Sequence, residues 1–207
     1  MHFFRSAFFR RWRVYLFVSL LFTGLTACAH LKEQRTNTDF LPVSVVGMQH
    51  MGPDFNVSDF YIDGAAGGNI GRGGGGGSSM CCANLPREWR PGMSVVVRWS
   101  VGDWNHENRA EIEAGNYKSV RSGGVYKATV PVEKYDKPGR LYAHFFPGGK
   151  VRVLVGAGSP GEEIPYGPHD DPTATVGVRM EALFSKEELE KSRRENDERR
   201  KKYGDWR

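Results

Sequence analysis

The stretch from Gly68 to Cys82, GNIGRGGGGGSSMCC, gathers the residue types in this chain most suited to chemistry. Five consecutive glycines, Gly73 to Gly77, have the composition of a loop that cradles phosphate, and Cys81-Cys82 offers two adjacent thiols. A phosphate loop needs Lys-Ser or Lys-Thr after its last glycine, opening a helix whose N-terminus meets the anion. Here Gly77 is followed by Ser78-Ser79-Met80, with no lysine and no helical period beyond. The glycines therefore read as a connector, mobile because a glycine run loses much entropy on ordering; no nucleotide is expected. Zinc sites space paired cysteine ligands by two to four residues so that both reach one ion. Adjacent residues of a strand point to opposite faces, so shared coordination by Cys81 and Cys82 is not expected. Two buried thiols and a vicinal disulfide both remain open, and a nucleophile is a third reading.

A cysteine hydrolase needs a histidine base, and His50, His106 and His144 are its nominal candidates. None sits in a recognisable signature, and the Gly-x-Ser-x-Gly and His-Glu-x-x-His motifs are absent from the sequence. His144, inside an aromatic run, reads as a packed sheet residue. The HDDP run at His169 to Pro172 reads as a turn. No catalytic residue, metal site or cofactor is expected, and the chain is not read as an enzyme.

The N-terminus sets the compartment. Arg5, Arg10, Arg11 and Arg13 precede an apolar stretch, Val14 to Leu25, that is too short for a comfortable membrane span of ~20 residues. A basic start, a short apolar centre and small residues at its end describe a secretory signal over residues 1–27. Leu25-Thr26-Ala27-Cys28 resembles the bacterial lipobox, which makes Cys28 the expected lipidation site and a lipid anchor the expected membrane contact. Ala29 after the cysteine favours delivery to the outer membrane, facing the periplasm. Cleavage would remove four arginines and no acid, so the 29 basic residues fall to 25 against 24 acidic ones. A nearly neutral mature chain lacks the retained basic surface that nucleic-acid binding needs.

The elements that must position these residues are mostly strands. Residues 28–41 are a polar tether. Pro42 to His50, Val57 to Asp63, Gly92 to Val101, Gly124 to Val132 and a hairpin around Pro147-Gly148-Gly149 carry the two-residue repeat of half-buried strands. In the clearest of them Met93, Val95, Val97, Trp99 and Val101 share one face. A short helix is expected around Glu107 to Ala114, and a last strand within Thr173 to Leu183. The expected fold is mainly β, an antiparallel sandwich-like or barrel-like domain over residues 42–184. Residues 185–207 form a charged C-terminal helix. Ser185 and Glu188 make its capping box, Phe184 and Leu189 stand at staple positions, and Glu187–Lys191, Glu190–Arg194, Glu195–Arg199 and Glu198–Lys202 are spaced to pair. A helix this polar all round is a solubilising tail or an arm for a partner.

From Val43 to Tyr166 the segments FYIDGAAGGN, CCANLPREWRPGMSVVVRW and VYKATVPVEKYDKPGRLYAHFFPGGKVRVLV resemble the bacterial domain-of-unknown-function family 3304. Gly64, the glycine run, Cys81-Cys82, Leu85-Pro86, Trp89-Arg90-Pro91-Gly92, Trp99, Tyr135 and Phe146-Pro147 carry the likeness; the tail after Ser185 lies outside it. Members of that family are mostly lipoproteins of Gram-negative bacteria. Similar lipoproteins are encoded beside phospholipase effectors of type VI secretion systems. The resemblance thus implies an immunity protein whose partner is a secreted phospholipase effector, inhibited by occlusion. The expected contact loops are Asp103 to Glu113 and Gly156 to Asp171. Trp104, Arg109 and Tyr166 are the expected anchors, since binding hot spots favour Trp, Tyr and Arg. A structural envelope scaffold and a cysteine-dependent hydrolase are the alternatives.

Overall fold

The computed structural model describes residues 39–204 apart from 75–78, 105–108, 160 and 163. Cys28 and His106 lie outside the described residues. One compact unit runs from Phe40 to Arg207.

Ten strands follow in chain order: β1 (Phe40–Gln49), β2 (Phe55–Ile62), β3 (Ala65–Ala66), β4 (Met80–Pro86), β5 (Ser94–Asp103), β6 (Arg121–Pro131), β7 (Arg140–Phe146), β8 (Lys150–Gly156), β9 (Thr175–Val176) and β10 (Val178–Met180). They form two five-stranded sheets, ordered β4-β1-β7-β8-β9 and β10-β6-β5-β2-β3. The fold is a sandwich, not a closed barrel. Between β5 and β6 lie the short helix α1 (Arg109–Glu113) and a 3₁₀ turn, Tyr117–Ser119. The chain ends in α2 (Lys186–Tyr203).

The alternation along β5 explains the main core. Val97, Trp99 and Val101 are buried between the sheets, with Val57, Phe60 and Ile62 of β2 and Val45, Leu141, Phe145 and Val153 of the facing sheet. Trp99 stacks on Tyr126 and tilts against Phe145.

One pairing departs from an antiparallel plan. β1 and β7 run parallel, Val45 opposite Leu141 through Gln49 opposite Phe145. Their sequences read as continuous apolar runs because both faces of that sheet are covered, the usual condition of parallel strands. Val45 and Leu141 face the main core. Val46, Tyr142, Phe146 and Leu154 point the other way, into a second core closed by Ile164 and Ala174. The cover is the long connection from β8 to β9, which leaves one end of the sheet at Gly156. Tyr142 Oη donates to Gly158 O at 2.5 Å, and His169 N donates to His50 O at 3.1 Å. The connection therefore crosses the outer face of the sheet from one end to the other.

The expected last strand is split in two. Gly177 marks the crossing, its N–H donating to Gly149 O at 2.8 Å, so that β9 closes one sheet and β10 the other. α2 has the capping box read from the sequence: Ser185 Oγ accepts from Glu188 N, and Glu188 Oε2 accepts from Ser185 N. Its surface pairs differ in part. Glu190–Arg194 forms at 4.0 Å, whereas Lys191 pairs with Glu195 at 3.8 Å, because the Glu187 carboxylate turns back to the Ser185 cap. Phe184 packs edge-on against Tyr61, and Leu189 is 51% exposed.

Candidate protein-interaction site

The β1–β2, β5–β6 and β7–β8 connections share one end of the sandwich, which follows from the antiparallel β2–β5–β6 ladder and the parallel β1–β7 pair. The organiser of this end is Gln49, the last residue of β1, 2% exposed. Its Nε2 lies within 3.0–3.4 Å of four carbonyls, those of Gly52, Phe55, Gly71 and Arg72. Its Oε1 accepts from Met51 N at 2.7 Å. One buried amide thus ties the β1–β2 loop to the start of the glycine-rich segment.

Arg72 projects from that segment. Its Nε donates to Pro53 O at 2.7 Å, its guanidinium stands 5.2 Å from the Trp104 ring centroid, and it lies 3.9 Å from the Asp54 carboxylate. Arg109 of α1 approaches the same Asp54 oxygen at 3.6 Å and Glu113 at 3.4 Å. Trp104 is fixed as well: its N–H bonds to Asp54 O, and Nε1 donates to Asn56 Oδ1 at 2.8 Å. Tyr117, 65% exposed, meets the Trp104 ring edge-on at 6.0 Å. The result is an aromatic-cationic cluster, Arg72, Trp104, Arg109 and Tyr117, with both arginines drawn to the Asp54 carboxylate and Trp104 bonded to the Asp54 backbone carbonyl.

The structure therefore brings Trp104 and Arg109 together through Asp54. It places Tyr166 elsewhere. Tyr166 is 57% exposed, but its ring lies over Gly161 and its hydroxyl is 2.9 Å from Ser159 Oγ, so it braces its own connection. The neighbouring Gly167 and Pro168 do reach the cluster's end, where they share a cavity of about 110 Å³ with Gln49, Pro53 and Arg72. Sequence reasoning missed Arg72, Asp54 and Tyr117. The arginine set inside a glycine run was the available signal, since a lone long side chain there has the reach to cover a neighbour.

The histidines form a separate, buried arrangement. His50 Nε2 and His144 Nδ1 are 3.0 Å apart, and His50 Nδ1 is 3.1 Å from Gly167 O. A carbonyl only accepts, so His50 carries its proton on Nδ1 and His144 donates from Nδ1 to His50 Nε2. Burial, with His50 close by, lowers the His144 pKa to about 3; burial also lowers that of His50. His169 packs on the His50 ring, centroids 4.5 Å apart. Alongside, Arg152 bonds Glu133 and Asp171. Burial works to raise the Asp171 pKa, but hydrogen bonds from Thr173 and Arg152 bring it to about 2. The turn expected over His169–Pro172 lies two residues later, over 171–174: Asp171 O accepts from Ala174 N at 3.3 Å, and Asp171 Oδ1 accepts from Thr173 N and Oγ1.

Cys81 and Cys82 stand at a bulge. Between the Val43–Ala83 and Val45–Met80 pairs β1 has one residue, Ser44, and β4 has two, Cys81 and Cys82, so both cysteines oppose Ser44. The peptide bond between them is cis, their Cα atoms are 3.1 Å apart and their sulfurs meet. No hydrogen bond joins a histidine to either of them among the described residues.

Residues 52–153 match the family model described as protein of unknown function (DUF3304). The match supports membership of DUF3304. It opens in the β1–β2 loop and closes within β8, so it takes in the glycine-rich segment, the cysteines and the Trp104–Arg109 cluster, and leaves out α2. Neither the curated proteins nor the solved structures include a match. Within the DUF3304 segment, Trp89 Nε1 donates to Val132 O at 2.9 Å and Tyr135 Oη donates to Pro86 O at 2.7 Å. These conspicuous aromatic residues lock β4 to the β6–β7 connection; they belong to the frame.

Proposed function

We propose that this protein is a periplasm-facing immunity lipoprotein. It is anchored to the outer membrane through Cys28, and it binds and occludes a secreted phospholipase effector of a type VI secretion system. The carrying observation is the cluster of Trp104, Arg72, Arg109 and Tyr117 on exposed loops at one end of a two-sheet frame. Such side chains dominate binding energy when a partner excludes water from them. A surface that works by occlusion needs rigid presentation and no chemistry of its own, and the hydrogen bonds of Gln49, Asn56 and Asp54 supply the rigidity. The family resemblance supports the choice of partner. The cysteine pair, in this reading, is a vicinal disulfide that serves the fold.

The test is rescue. Cells exporting a type VI secretion phospholipase effector encoded beside this chain to the periplasm should survive when the chain is co-expressed, and the two proteins should copurify; absence of any such neighbouring gene counts against the reading. Trp104→Ala combined with Arg109→Ala should abolish both while the circular-dichroism melt stays cooperative. Absence of rescue together with absence of copurification removes the immunity reading.

A structural envelope scaffold is the second reading, favoured by α2: it buries none of its residues yet is held firmly at its base. Arg98 donates to both carboxylate oxygens of Glu188 and to Leu183 O. Deleting residues 186–207 should leave rescue intact if the protein is an inhibitor, and abolish function if α2 is a scaffold arm.

A further inference from the structure

At the loop end the two sheets part around a second cavity of about 120 Å³, walled by Met51, Phe55, Val101, Tyr126 and Pro147. No charged side chain lines it. Its one hydroxyl, on Tyr126, is already donated to Gly123 O at 3.1 Å. Three of its lining positions are glycines, and they keep it open. A Cβ at Gly123 would press on Val101 and one at Gly149 on the Tyr126 ring, so side chains there would push the walls apart or fill the space. Gly148 and Gly149 also take positive φ, 74° and 70°, in the β7–β8 turn.

The size selects the guest. An apolar cavity of ~150 Å³ accepts benzene, so this slightly smaller one suits a single branched or thioether side chain. The rim adds chemistry. Val176, 64% exposed, pairs with Lys150 next to Gly149 and extends the apolar surface outward. Arg179 lies directly opposite Tyr126 in the β6–β10 ladder, hence on the same face as the cavity wall. It is exposed and has no ion-pair partner among the described residues. On the other flank, Phe55 pairs with Asp103, the residue before Trp104. The cavity and the aromatic-cationic cluster thus lie at the same end of the sandwich, on opposite faces of the β2–β5 pair.

We propose that this cavity is a socket for one Leu- or Met-sized side chain, presented by a loop of a partner protein with a carboxylate beside it. The apolar group fills the space between the sheets and the carboxylate meets Arg179. The inference rests on the immunity reading only for the partner being a protein.

The probes are N-acetyl-Leu-Asp-amide, N-acetyl-Ala-Asp-amide, N-acetyl-Leu-Asn-amide and octanoate, titrated into ¹⁵N-labelled protein. Leu-Asp should shift the amide signals of Gly123, Gly148 and Gly149 saturably. Ala-Asp and Leu-Asn should bind several-fold more weakly, the first for lack of a filling side chain and the second for lack of charge. Met51→Trp, which crowds the mouth, should remove the response. Arg179→Glu, on an exposed strand where the fold is not at risk, should weaken Leu-Asp several-fold and spare Leu-Asn. No shift at these glycines with any dipeptide overturns the socket, and so does binding of octanoate alone, which would make it an acyl-chain site. The two readings separate cleanly. Dipeptide binding without rescue from a phospholipase keeps the socket and removes the immunity partner; undiminished rescue by both variants keeps immunity and removes the socket.

Discussion

At the scale of single residues, the buried histidine pair makes the clearest commitment. His50 and His144 are held neutral with His169, Arg152 and Asp171 around them, and unfolding returns each to an ordinary pKa near 6.5. Below that pH the unfolded chain binds more protons than the folded one. The pair's contribution is thus complete above pH 6.5 and lost as the pH falls towards about 3, where His144 itself titrates. At ~1.4 kcal/mol per pKa unit, the loss amounts to a few kcal/mol. Urea midpoints measured between pH 7 and 4 should fall accordingly, and His144→Leu should flatten that dependence. A flat wild-type profile would contradict the neutral assignment. Asp171 acts lower on the scale: held at about 2, its contribution is present above the usual carboxylate range and goes only as the pH approaches 2. Trp104 is the residue on which affinity should turn. In the proposed effector complex, its replacement by Ala should raise the dissociation constant by at least ~30-fold, the loss expected of a central hot spot, measured by calorimetry. None of the histidine pairing was legible beforehand. His50 and His144 are far apart in sequence, and only the parallel β1–β7 register brings their strands side by side.

At the scale of elements, the two-residue repeat was a sound guide wherever one face of a strand met the core. β5 and the β7–β8 hairpin stand where alternation put them. β4 was hidden, because MCCANLP is short, bulged and only partly buried. The glycine-rich segment was read as a connector, and its described part has a further role as packing. A Cβ at Gly67 would enter the Phe60 ring, and one at Gly47 would strike both Phe60 and Ile70. Gly67→Ala should therefore cost ~1–3 kcal/mol, as overpacking does, seen as a lower urea midpoint with unchanged slope. Helix α2 was legible from its capping box, but its attachment was not: the Arg98–Glu188 pair joins residues from distant strands and helix. The Arg98 hydrogen bonds hold the Glu188 carboxyl down at about 2. Glu188→Gln should loosen α2 at its base, raising amide exchange across Lys186–Tyr203 while leaving β-sheet amides as they were.

At the scale of the whole molecule, sequence and structure agree on a mainly β sandwich with a charged terminal helix. They part on how the layers are closed. The 157–174 connection covers a sheet face that alternation alone would have left wet, and this is why β7 reads RLYAHFF, apolar on both sides. The site was legible in part for a related reason. Trp104 and Arg109 stood out by residue type, whereas their convergence on Asp54 depends on the β1–β2 and β5–β6 connections meeting at one end. That end has an aromatic-cationic half and an apolar half, and the glycines of the β7–β8 turn belong to the second.

The parallel pairing of β1 with β7 also fixes an order of events. β1 is among the first parts of the domain to be synthesised, yet one of its two neighbours, with most of the main core's far wall, comes only after β6 is complete. Until then its VSVVGM run can find β4 alone, leaving an open apolar edge of the kind that aggregates. Non-local pairing of this sort makes folding slow. A chain cut after Gly139 should therefore stay soluble only with a holding chaperone, and full-length refolding should slow sharply when Val45 and Leu141, the first β1–β7 partners, are both reduced to Ala.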